Sequence, residues 1–358
     1  MSVLVITKIP SPYQVELFDQ ISAASQIKLS VIYLRHYDPD RKWTPRNLQH
    51  QAYFLEDGRL ADLENQVSDA GLVVFNWYRD PMVRKLIALR ARTKLPWCFW
   101  GERPGFRFPG LFGRAYRRLM LHELYTHERV PIWGIGHWAI DGYKAEFGMR
   151  RPYYHVPYTS DLSRFYSISR RPYSSNSAAI LFSGSFIERK GVMELCEAFL
   201  RIASGMPGVS LHLLGSGPLE GTLRKMTRVS DRVRFLGFYD WDNLQQAYAN
   251  ADILCAPSRY DGWGLIVLEG LASGMPVIAS SSVGSANEVI KEGENGWLVA
   301  ARNPKSLESS LRTALLLSPQ EMSRIRRNCR ASAEPYCIDA GANRFLIAAE
   351  ETLEHWQA

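Results

Sequence analysis

Two acids eight residues apart, Asp261 and Glu269, lie in the glycine-punctuated segment Ala256-Pro-Ser-Arg-Tyr-Asp-Gly-Trp-Gly-Leu-Ile-Val-Leu-Glu269. The apolar run 253–256 predicts a buried strand that ends in a polar loop. Gly262 and Gly264 let the backbone approach a ligand closely, and a helix is expected to open around Leu265. Loops at the carboxyl ends of parallel strands are where α/β proteins bind ligands. Amides exposed at a helix N-terminus suit an anion such as a diphosphate. A second segment, Phe182-Ser-Gly-Ser-Phe-Ile-Glu-Arg-Lys-Gly191, repeats the order strand, loop, helix start and places Arg189 and Lys190 in the loop. Taken singly, these are a capped helix with a surface acid and a pair of solvated cations.

The elements that must carry these loops alternate along the whole chain. Apolar runs at 3–6, 29–34, 72–75, 97–100, 180–183, 211–214, 233–236, 253–256 and 277–279 read as strands. Helix-length amphipathic segments at 13–24, 81–92, 111–124, 192–203 and 244–250 separate most of them. This alternation predicts parallel sheets covered on both faces, and the unbroken apolar character of the strands agrees with burial on both sides. The polar, serine-rich stretch 167–178 reads as a linker. Hence the expected division is a first domain over 1–166, a second over 179–335, and a final helix over 336–358. Beyond residue 303 the pattern is helical only.

At 358 residues, 46% of them hydrophobic and 22% charged, the chain has ordinary globular composition and room for two cores. No apolar run approaches the roughly 20 residues needed to span a bilayer. Residues 1–8 read as a buried first strand instead of a signal peptide. Five scattered cysteines without a CxxC pair argue against a disulfide framework and a zinc site, and a cytoplasmic protein with reduced thiols is the expectation.

Segment 256–279 resembles the signature of the retaining glycosyltransferase family 4 (glycosyl transferases group 1). Weaker matches at Leu214-Gly-Ser-Gly-Pro218, Phe235-Leu-Gly-Phe-Tyr239, Val283-Gly-Ser-Ala-Asn-Glu-Val289 and Asn295-Gly-Trp-Leu-Val299 extend the resemblance across 179–300 almost without a gap. It implies the GT-B fold, α/β with two doubly wound Rossmann-like domains facing a cleft, the helical tail packing back on the first. It further implies transfer of a sugar from a UDP- or GDP-type donor with retention, with no cofactor and no catalytic metal.

Carried over residue by residue, Asp261 contacts the donor sugar's hydroxyls and Glu269 the ribose hydroxyls. The amides of Gly262, Trp263, Gly264 and Leu265 line the sugar and phosphate pocket, and Arg189 and Lys190 neutralise the leaving diphosphate. Gly184 and Gly215 belong to the glycine loops, while Phe238 or Tyr239 flanks the base. The sequence departs from the family in Asp261 for the usual Glu, Trp263 for the common Phe, and Ser185 where many members have Arg. The donor sugar's identity is thereby left open. So are two rival readings, a same-fold sugar-nucleotide epimerase or hydrolase and a catalytically silent sugar- or nucleotide-binding subunit.

The first half resembles the family only in outline. Pro12 and Tyr13 occupy the loop after the first strand, on the acceptor side. Many members carry a histidine after the fourth strand, where this chain has Phe99-Trp-Gly-Glu-Arg-Pro104. Glu102 is therefore the candidate there, with helix capping or a salt bridge as the alternative, and His127 is a further acceptor-side candidate.

Residues 1–165 carry 23 Lys/Arg against 16 Asp/Glu, whereas the remainder is balanced at 20 against 20. Residues 84–118 are the source, with ten basic residues against Glu102 alone. An anionic partner follows: a lipid-linked or glycan acceptor, or the inner face of a membrane, on which a helix over 109–125 with Arg114, Arg117 and Arg118 on one side would lie. Nucleic acid is not expected, since no nucleic-acid-binding fold accompanies the basic stretch.

Overall fold

The computed structural model describes residues 1–24, 27–38, 47–57, 60–105 and 110–358. Arg107 and Pro109, counted above in the basic stretch and the helix 109–125, lie outside the described residues. The chain divides into two units, residues 1–161 with 338–358, and residues 162–337.

The first unit holds a sheet of seven parallel strands in the order β3-β2-β1-β4-β5-β6-β7. These are β1 (Ser2–Thr7), β2 (Lys28–Tyr33), β3 (Gln51–Phe54), β4 (Leu72–Phe75), β5 (Trp97–Gly101), β6 (Ile132–Gly134) and β7 (Tyr153–His155). Val5 pairs with Val31 on one side and Val74 on the other, so the order reverses at β1. Such a switch point opens a crevice at the carboxyl ends of the strands. Strands β1, β4 and β5 are buried almost throughout, as a sheet covered on both faces requires. The helix Pro81–Thr93 shows why its bounds fall where they do. Asp80 caps it by accepting the Met82 amide at 2.8 Å, Pro81 opens it, and Lys94 ends it in the left-handed region.

The second unit holds six parallel strands in the order β10-β9-β8-β11-β12-β13. They are β8 (Ala179–Ser183), β9 (Ser210–Leu214), β10 (Val233–Gly237), β11 (Ile253–Ala256), β12 (Val277–Ser280) and β13 (Gly296–Val299). Here β8 stands between β9 and β11, again a switch point. Beyond β13 come the helices Pro304–Leu315 and Pro319–Ala333, the latter with a full capping box between Ser318 and Glu321. The last helix, Ile338–Gln357, belongs to the first unit, where Trp133 Nε1 donates to Thr352 Oγ1 at 3.0 Å and Trp356 Nε1 to the Trp97 carbonyl at 3.1 Å.

Several expectations are corrected. The boundary falls at 161/162, so residues 167–178 are no linker but part of the second unit. Their polar composition hides contacts. The Arg170 guanidinium donates to the carbonyls of Ser273 and Ala251 at 2.6 Å and of Tyr248 at 2.8 Å, and the buried Tyr173 donates to Leu315. The helix expected over 109–125 is interrupted: Gly110–Met120 is followed by a break at Leu121 and a short turn of helix, His122–Thr126. Strands β3, β6, β7 and β13 were absent from the sequence-derived strands: β6 and β7 span only three residues, and β3 and β13 open on Gln51 and Gly296 instead of an unbroken apolar run. All five cysteines are free.

Candidate active site

Within the second unit the residues expected to touch a donor all lie on the carboxyl edge of the sheet or on the helix behind it. Gly184 follows β8, Gly215 follows β9, Phe238 and Tyr239 follow β10, and residues 261–265 follow β11. The loops after β8 and β11 are joined at the charges. Lys190 Nζ lies 2.6 Å from Asp261 Oδ2 and Arg189 Nη1 lies 3.9 Å from the same oxygen, while Arg189 also donates to the Tyr260 carbonyl at 2.8 Å. Burial works to raise the Asp261 carboxyl's pKa, but Lys190, Arg189 and a hydrogen bond from the Trp263 amide outweigh it. The group is held below its ordinary value of 3.8. A cationic pair thus faces an ionised carboxylate at the mouth of a helix.

That helix, Leu265–Ala272, begins after Gly264, whose φ of 85° is open to glycine; a Cβ there would stand 2.6 Å from a methyl of Val283. Glu269 is buried within it and accepts a 2.7 Å hydrogen bond from the hydroxyl of Tyr248. Burial first, and then the Glu269 charge, push the Tyr248 phenol well above its usual range, and Ser183 at the end of β8 bonds the same side chain. Tyr248 therefore remains a protonated donor that fixes the Glu269 carboxylate. The amide of Trp263 is already given to Asp261 and its indole is buried, so the chain's approach to a ligand here rests on Gly262, Gly264 and Leu265.

Residues not singled out from the sequence complete the frame. The Arg259 amide donates to the Arg189 carbonyl at 2.8 Å, and its guanidinium reaches Glu194 at 2.7 Å and Glu188 at 3.1 Å. The Glu194 hydrogen bond, opposed by burial, keeps that guanidinium's pKa above its normal value. Gly191 is compulsory, since a Cβ there would lie 2.1 Å from the Pro257 carbonyl oxygen. The alternation of charge in Glu188, Arg189, Lys190, Glu194 and Arg259 was visible in the sequence, but the pairing across 65 and 71 residues was not. The loops after β8, β9 and β10 are also knitted together: the Gly184 amide donates to Leu214 and the Gly215 amide to Gly237. Phe238 is 43% exposed beside them.

In the first unit Pro12 opens the helix Pro12–Ala24 directly after β1, and the Tyr13 ring lies 5.0 Å from that of Tyr158. Glu102 is exposed at the carboxyl end of β5, its carbonyl accepting from the Tyr143 hydroxyl. His127 is placed elsewhere. It ends the turn His122–Thr126 ahead of β6, at the amino edge of the sheet, and its Nδ1 lies 2.8 Å from the Glu123 carbonyl. An imidazole at that edge is remote from the loops following the strands, so His127 is withdrawn from the acceptor side. A network the sequence did not suggest occupies the carboxyl edge instead. Asn76, just after β4, takes hydrogen bonds from Thr7 at 2.9 Å and Gln14 at 3.0 Å and donates to the Trp100 carbonyl and the Tyr158 hydroxyl. A polar residue immediately after a wholly apolar strand was the available signal.

Two doubly wound parallel units in one chain, with a charged site on the carboxyl edge of the second, define the GT-B class of fold. The solved structure of Anabaena HepE in complex with UDP has the same fold, with a TM-score of 0.76 at 15% identity, covering 98% of this chain and 100% of that one. Residues 168–332 match the family described as Glycosyl transferases group 1. An uncharacterized glycosyltransferase of Methanocaldococcus jannaschii is 37% identical over 131 residues, 36% of this chain and 33% of the relative. The GDP-mannose-dependent monoacylated alpha-(1-6)-phosphatidylinositol monomannoside mannosyltransferase of Corynebacterium glutamicum is 30% identical over 172 residues, 43% of this chain and 45% of the relative. The chain thus spans less than half the length of either curated relative.

Proposed function

We propose that this protein transfers a sugar from a nucleoside-diphosphate sugar to a glycan or lipid-linked acceptor, with retention at the anomeric carbon, in glycolipid or polysaccharide synthesis. The observation that carries the reading is the Lys190–Asp261–Arg189 cluster beside the N-terminus of Leu265–Ala272, with Glu269 held by Tyr248 inside that helix. On donor binding, Lys190 and Arg189 turn toward the diphosphate and offset the charge that develops as it leaves. These cations take the place a metal would fill in other transferases. Asp261, released from Lys190, accepts from the sugar's hydroxyls, and Glu269 from those of the ribose. No protein nucleophile is needed if the departing phosphate oxygen takes the acceptor's proton on the face where the new bond forms.

The base is of UDP or GDP type: HepE is seen with UDP, and the Corynebacterium relative is named for GDP-mannose. The basic excess of residues 84–118 supports an anionic partner for the first unit, an acceptor phosphate, an acidic glycan or a membrane's inner face.

The test is a thermal-shift screen of nucleoside diphosphates and their sugars, without and with chelator, followed by NMR of the product's anomeric configuration. A ligand at 100 times its Kd should stabilise by about 2.7 kcal/mol. Inversion would overturn the retaining reading. Rapid donor turnover without any acceptor would favour the epimerase or hydrolase alternative, and binding without turnover the silent subunit.

A further inference from the structure

The helix Gly110–Met120 is built inside out. An amphipathic surface helix normally turns its apolar stripe to the core. Here the side facing the protein carries Gly113 and Arg117, both buried. Arg117 forms a two-nitrogen ion pair with Glu146, Nε at 2.8 Å from Oε1 and Nη2 at 2.8 Å from Oε2, and Tyr125 donates to the same carboxylate. The solvent side carries Leu111, Phe112 and Leu119, exposed by 85%, 93% and 72%, with Tyr116 at 37%. At 100° per residue these four fall within one continuous arc of roughly 140°. Arg114 and Arg118, both exposed, border that arc on the side of Leu111.

The ion pair corrects the expectation of three arginines on one outward side. Arg117 is an internal anchor, as is Arg90, which is fully buried and donates to the carbonyls of Val67, Ser68, Ala70, Gly71 and Pro96. Arg84, Lys85, Arg92, Lys94, Arg103, Arg114 and Arg118 remain at the surface or half-buried in this stretch.

From this geometry we infer that Gly110–Met120 is an interfacial helix that seats the first unit on an anionic lipid bilayer. Leu111, Phe112 and Leu119 enter the boundary between headgroups and acyl chains, and Arg114 and Arg118 rest on lipid phosphates. Arg117, paired with Glu146, fixes the helix to the unit from behind. Charge decides between a bilayer and a second copy of the chain. A two-fold contact through this helix would bring Arg114 and Arg118 against their own copies, where like charges repel, whereas an anionic surface complements them. The inference deepens the reading of an anionic partner and rests on it, but it is independent of the donor chemistry.

Co-sedimentation with vesicles of phosphatidylcholine alone and of phosphatidylcholine with 30% phosphatidylserine, at low and high salt, tests it. The wild-type chain should bind the anionic vesicles. Leu111→Ser, Phe112→Ser and Leu119→Ser together should lower the partition coefficient about 100-fold or more. Arg114→Ser with Arg118→Ser should lower it about 30-fold at low salt and little at high salt. Both variants should keep the wild-type thermal shift with nucleoside diphosphate, and wild-type resistance of residues 110–161 to proteolysis shows that the first unit folds. Binding that high salt abolishes and that the triple Ser variant retains overturns the inserted helix while leaving an anionic partner in place. Absence of wild-type binding to either vesicle overturns the inference outright; an intact nucleotide shift in that experiment would leave the transferase reading standing.

Discussion

Lys190→Ala puts the proposed chemistry at most risk. It removes the ammonium 2.6 Å from Asp261 and leaves Arg189, at 3.9 Å, as the cation still beside that carboxylate among the described residues. The two side chains of the closer pair are only 20% and 14% exposed, so water restores little of what is lost. A hydrogen bond to a charged group contributes about 1.5–3 kcal/mol, and losing one preorganised partner of a developing charge costs about 100-fold in turnover. The pH dependence has a defined sign. With its pKa held below 3.8, Asp261 contributes stability that is complete above the ordinary carboxylate range and is lost only as pH falls through the depressed value. In the variant, burial persists while the strongest opposing charge is gone, so the carboxyl's pKa rises toward its unfolded value and this group's share of the acid destabilisation shrinks. Turnover with a matched donor, together with acid unfolding from pH 7 to 3, measures both effects. Asp261→Asn closes a cycle: if the pair works as a unit, the double variant is little worse than either single one. A folded Lys190→Ala protein with wild-type turnover, or with a superimposable acid profile, refutes the argument.

Glu269→Gln should weaken the free nucleoside diphosphate and the intact donor alike by at least about tenfold in calorimetry, since both carry the ribose. Equal nucleotide affinity in the variant would remove Glu269 from the site. Arg90→Leu should destabilise the first unit by about 3 kcal/mol or more, because five carbonyls share that one guanidinium and become unpaired inside the fold; proteolysis confined to residues 1–161 would reveal it. Gly264→Ala should reduce donor binding without unfolding the sheet, as the new Cβ meets Val283 2.6 Å away at a φ of 85°. A donor Kd unchanged in that variant would show that the loop tolerates the shift.

The sequence by itself determined the layered architecture and the place of the charged loops after β8 and β11 on the carboxyl edge of the second sheet. Unbroken apolar runs such as 72–75 and 253–256 are buried throughout, as a parallel sheet with helices on each side requires. Punctuation by Gly191 and Gly264 marked where the backbone must turn tightly, because a glycine requirement is local and leaves its mark in the sequence. Short strands such as β6 and β7 left too few residues for any periodicity to register.

Partnerships were decided only by tertiary structure. Nothing in the sequence distinguishes Arg117, paired inside with Glu146, from Arg118 one residue on. Nor does it show that Arg170 in a serine-rich stretch binds three carbonyls of the second unit, that Tyr248 fixes Glu269, or that His127 ends at the amino edge of its sheet. The reason is physical. Helix and strand preferences act over a few neighbouring residues, whereas a charge is paired or solvated according to what packing brings beside it from 29, 71 or 103 residues away.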